Sequence, residues 1–140
     1  MPMTSPIHPA GRPLAEDDLA RVVDRFYEAV RRHPRLGPVF DAAVHDWPGH
    51  KATLVRFWSS VALGTASYRG NPMALHRAHP IHAGHFADWL ALWSETVHAE
   101  LDADHADRLV DHAQRIGRSL IYGLGLDSAR RPLGLPIAGG

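Results

Sequence analysis

The sequence predicts an all-α fold in one domain, and three observations carry that prediction. Apolar residues recur at i, i+3, i+4 and i+7 in four long windows. No stretch alternates with the two-residue period of a half-buried strand. Proline and glycine breaks separate the windows. A chain of 140 residues suits one modest hydrophobic core.

Residues 1–13 contain four prolines and few apolar side chains, and they read as a flexible N-terminal extension. They lack the basic flank and apolar run of a signal peptide, which favours the cytoplasm. The first long helix is expected over about 15–32, because Leu19, Val22, Val23, Phe26, Tyr27 and Val30 share one face. Pro34 and Gly37-Pro38 interrupt the pattern, and a short apolar segment follows with Leu36, Val39, Phe40 and Val44. Asp46 is positioned to cap a second long helix from about Trp47, with Pro48 in its first turn. Its face carries Trp47, His50, Leu54, Phe57, Trp58, Val61 and Ala62, and helix should fail near Gly64.

Asn71-Pro72 marks a turn or a new start, and 72–78 has room for one or two helical turns before Pro80. A third long helix is expected over about 83–99, with Phe86, Trp89, Leu90, Trp93 and Val97. A fourth, over about 104–124, has Leu109, Ala113, Ile116 and Leu120 on one side. Its acids come early and its arginines late, as the helix dipole favours. Residues 14–127 are therefore the expected domain, and 128–140 a flexible C-terminal tail.

Composition narrows the chemistry. The 15 basic and 15 acidic residues cancel, against a dedicated nucleic-acid binder or a polybasic membrane protein. No window holds 18 consecutive apolar residues, so no spanning helix is expected. With no cysteine there is no disulfide, thiolate nucleophile or thiolate metal site. Lys51 is the only lysine, beside 14 arginines. H-E-x-x-H, G-x-S-x-G, P-loop and dinucleotide motifs are all missing.

The 11 histidines are the unusual feature. His76, His79, His82 and His85 fall at intervals of three, a spacing that suits a divalent metal if the helix is unbroken. Pro80 argues against that continuity. Glu95-Thr96-Val97-His98 has the E-x-x-H spacing of di-iron helices, but in a single copy. One imidazole in an apolar helical slot would instead suit iron porphyrin.

Several stretches taken in order resemble the truncated haemoglobins of group III. They are Phe26-Tyr27, Leu36-Gly37-Pro38-Val39-Phe40, Trp47-Pro48-Gly49-His50-Lys51, Phe57-Trp58 and Leu63-Gly64. They continue with Tyr68, Gly70-Asn71-Pro72, His76, Phe86, Trp89-Leu90 and Trp93. The glycine pairs that mark other truncated groups are missing. The resemblance covers about residues 15–125 and implies a two-over-two helical sandwich around haem b.

The same resemblance implies roles for individual residues. His76 matches the proximal iron ligand. Tyr27 and Trp89 match distal hydrogen-bond donors, and His50 a distal residue that gates the ligand site. Leu54 and Phe57 continue the His50 face, with Leu54 forming a wall over the haem, and Phe40 matches an aromatic that packs on the porphyrin. Lys51 and Arg69 are solvated-face residues able to approach the propionates. His79 departs from the family pattern, which commonly has an apolar residue ahead of the proline. It reads as a surface or haem-edge residue and as the first alternative to His76.

The function implied is binding of dioxygen, nitric oxide or carbon monoxide. Nitric oxide dioxygenation or peroxidase-like chemistry would draw on an external reductase. No nucleic-acid or membrane partner is expected, and a monomer is. Two readings compete: a non-haem multi-histidine metal module, and a cofactor-free helical interaction protein whose aromatics are only core.

Overall fold

The computed structural model describes residues 12–126 except 69, 78 and 80, with backbone alone at 74, 75 and 77. Most of the expected N-terminal extension, the C-terminal tail and Arg69 lie outside the described residues. The described residues form six helices and no strand: α1 (Glu16–Arg32), α2 (Leu36–Ala43), α3 (Trp47–Leu63), α4 (Pro72–Arg77), α5 (Ala83–Glu100) and α6 (Ala103–Gly123). The four expected long helices are α1, α3, α5 and α6.

Local chemistry explains the ends of the elements. α1 opens with Glu16, Asp17 and Asp18 and closes with Arg31 and Arg32, complementing its dipole. Asp18 is buried, and its carboxylate accepts hydrogen bonds from the Ala15 amide at 2.9 Å and Arg12 at 2.8 Å. Arg21 joins the same group and reaches Glu100 at 3.2 Å, tying α1 to the end of α5. Asp46 caps α3 by accepting from the Gly49 amide at 3.1 Å, and Gly64 ends it at φ +70°. Asp102 caps α6 through the His105 amide at 3.0 Å.

The Gly37-Pro38 pair behaves differently from a simple break. It sits in the first turn of α2, where proline's missing amide costs no intrahelical hydrogen bond. A Cβ on Gly37 would stand 2.9 Å from the Arg31 carbonyl oxygen, so the glycine lets α2 fold closely against the end of α1.

The long helices pack in two layers. α1 lies on α3 and α5 lies on α6, while α1 also crosses α5 and α3 touches α6. This is the two-over-two sandwich. Its centre is aromatic: Trp58 and Trp93 stack with centroids 4.4 Å apart, and Phe26 meets Trp93 edge-on at 5.1 Å. All three side chains are buried. Removing one such aromatic from a core costs about 3–5 kcal/mol, so this cluster fixes how the layers meet. The short α2 and α4 leave a slot beside it.

Candidate haem pocket

That slot is a cavity of about 320 Å³ bounded by residues of all six helices. Tyr27 enters from α1, Phe40 from α2 and His50, Leu54 and Phe57 from α3. His76 comes from α4, Phe86 and Trp89 from α5, and Ile116 and Leu120 from α6. No Asp, Glu, Lys or Arg occurs among the described lining residues. The lining is mostly apolar with a few aimed polar groups, the usual character of a small-molecule or cofactor site.

One end gathers Tyr27, His50 and Trp89. Tyr27 is 4% exposed, and burial pushes its hydroxyl well above the ordinary phenol range. A side-chain hydrogen bond with Trp89 opposes that shift. The phenol is therefore neutral near pH 7 and available as an O–H donor. His50 stands edge-on to Tyr27 with centroids 5.0 Å apart, and Phe40 and Trp47 flank it at 6.4 and 5.7 Å. Desolvation lowers the His50 pKa, keeping the imidazole neutral. Its Nε2 is buried without a hydrogen-bond partner in the protein. A buried orphan of this kind is rare, and a group in the cavity would relieve it.

His76 presents different chemistry. Its Nδ1 lies 2.6 Å from the Pro72 carbonyl oxygen. A carbonyl only accepts, so Nδ1 carries the proton and Nε2 keeps its lone pair. That tautomer suits metal ligation through Nε2, with the backbone bond orienting the ring. Phe86 tilts against the imidazole at 6.2 Å.

Seven of the eight site residues named from the sequence line the cavity: Tyr27, Phe40, His50, Leu54, Phe57, His76 and Trp89. Lys51 is the eighth and does not; its ammonium pairs with Asp24 at 2.8 Å. Sequence reasoning left Thr53 and His85 out of the site, yet both line it. Thr53 sits one residue before Leu54 on α3, and His85 was visible only as part of the histidine ladder.

The ladder itself is not one ligand set. His76 is on α4, His79 lies in the connection, His82 caps α5, and His85 is on α5. The rings of His82 and His85 stack at 3.8 Å. Among the described residues, no three His, Asp or Glu side chains come together to hold a metal. The Glu95–His98 spacing is also otherwise engaged, since His98 bonds the Ser94 carbonyl and Asp107. The break between α4 and α5 corrects the multi-histidine reading.

A helical sandwich enclosing an apolar slot with one oriented imidazole defines a globin. The bacterial-like globin family model matches residues 15–119. The chain is 29% identical over 118 residues to the group 3 truncated hemoglobin ctb of Campylobacter jejuni, spanning 79% of this chain and 93% of that protein. It also matches the crystal structure of the group III truncated hemoglobin from Campylobacter jejuni, with a TM-score of 0.77 and 27% identity. That match covers 84% of this chain and 95% of the other. The chain belongs to the bacterial-like globin family, and its likeness there is to the group III truncated haemoglobins. Membership implies haem-based gas binding. Among the described residues, no helix is long and apolar enough to cross a membrane.

Proposed function

We propose that the chain holds haem b through His76 and binds dioxygen or a related diatomic ligand beside Tyr27, Trp89 and His50. The observation that carries the reading is the 2.6 Å bond from His76 Nδ1–H to the Pro72 carbonyl, which leaves Nε2 as a lone-pair donor on the cavity wall. The apolar lining fits a porphyrin face, and the orphaned His50 Nε2 fits a polar ligand beside it. Phe40, Leu54 and Phe57 are the porphyrin-packing walls in this reading.

Haem would supply the iron centre that takes the diatomic ligand and shifts electron density onto it. The protein's own part is electrostatic. Tyr27 presents a neutral O–H donor, and the Trp89 indole N–H, which hydrogen-bonds Tyr27 in the ligand-free chain, is the second donor within reach. Oriented donors in a dry site favour negative charge on a ligand far more than they would in water. Two donors should slow ligand escape, which suits ligand chemistry better than bulk oxygen delivery. Nitric oxide dioxygenation or peroxidase-like turnover is the chemistry such a site supports, with electrons from a separate reductase.

The direct test is a haem titration of purified protein, followed by dithionite and carbon monoxide. The expected result is one haem per chain with a Soret band that shifts on carbon monoxide binding. A fully folded chain that takes no haem, or that takes stoichiometric zinc or nickel with no Soret band, would reject the proposal.

A further inference from the structure

The structure assigns the carboxylate edge of the bound cofactor to His79 and His85, an inference that rests on the haem reading above. Haem is mostly apolar but carries two propionates, so its pocket needs one polar, solvent-facing side. His79 is the one exposed residue among the described lining residues, and it marks where the cavity opens. His85 lines the same cavity, half-buried, from the first turn of α5.

The protonation of His85 suits a carboxylate. Its Nδ1 accepts the His82 amide at 3.2 Å, so the ring proton is on Nε2. Nε2–H is then the donor left for a ligand. The His82 ring stacked on it at 3.8 Å holds the imidazole in place. The nearby acid does not oppose an anion. Asp88, one turn along α5, is held by Arg35 through contacts of 2.6 and 2.9 Å. Lys51 is committed to Asp24 and lies off the cavity.

The test compares haem loss from the holoprotein to excess apomyoglobin in wild type, His79→Leu, His85→Leu, His85→Gln and Lys51→Ala. Each leucine variant should speed haem loss about tenfold, the equivalent of one lost hydrogen bond to a charged group. His85→Gln keeps an N–H donor and should recover most of the difference. Lys51→Ala should match wild type. The propionate bending band in resonance Raman should shift in the leucine variants, while the iron–imidazole stretch stays put. Unchanged loss rates, or a glutamine variant as fast as the leucine one with an unmoved propionate band, would overturn the assignment. A protein that takes no haem would instead overturn the functional reading on which it rests.

Discussion

His50 stands at right angles to Tyr27, their centroids 5.0 Å apart at 83°, with its Nε2 buried and unpartnered. Two polar rings thus share a dry corner without satisfying each other. In the proposed function Tyr27 donates to the ligand. Tyr27→Phe should raise the dioxygen dissociation rate about tenfold to a hundredfold, the equivalent of a hydrogen bond worth about 1.4–2.8 kcal/mol. Stopped-flow ligand replacement measures it, and an unchanged off-rate would remove Tyr27 from the donor role.

The core makes a prediction independent of any cofactor. Trp93 is buried, stacks on Trp58, meets Phe26 and donates its indole N–H to the Leu109 carbonyl at 3.1 Å. Trp93→Ala should therefore lower stability by about 3–5 kcal/mol. Urea unfolding at fixed pH reads this directly. A loss below about 1 kcal/mol would mean that the stack does not hold the two layers together.

His98 should titrate above an ordinary histidine. The Ser94 carbonyl is the larger cause and Asp107 the next, because both ring nitrogens then donate and the imidazolium is favoured. A folded pKa raised above the unfolded one gives stability that is full below the unfolded value. It is lost as pH rises through the folded value. Asp107→Asn should bring the His98 pKa down partway, since the Ser94 bond remains. An NMR titration of His98 checks the direction, and a pKa unmoved by the substitution would contradict it.

Much of this architecture was legible because burial leaves a period. α1, α3, α5 and α6 follow the apolar spacing, and Asp46 and Gly64 mark the ends of α3 by ordinary cap chemistry. α2 was harder, because Gly37-Pro38 looks the same in sequence whether it stops a helix or sits in the first turn of one. The pocket residues were legible as an ordered set of aromatics and histidines. Lys51 was not placeable, because its partner Asp24 lies on another helix and is met only in the folded chain. His85 was hidden for the opposite reason: its regular spacing from three other histidines suggested a ladder that the break after α4 divides.

In the proposed function His76 is the iron ligand, oriented by its bond to the Pro72 carbonyl. The most direct measurement is the resonance Raman spectrum of the ferrous, ligand-free protein, in wild type and in His76→Gly with and without added imidazole. The account predicts an iron–imidazole stretch in wild type, its loss in the variant, and its return when imidazole fills the space. A His76→Gly protein that keeps the stretch without added imidazole would contradict it and point to His79.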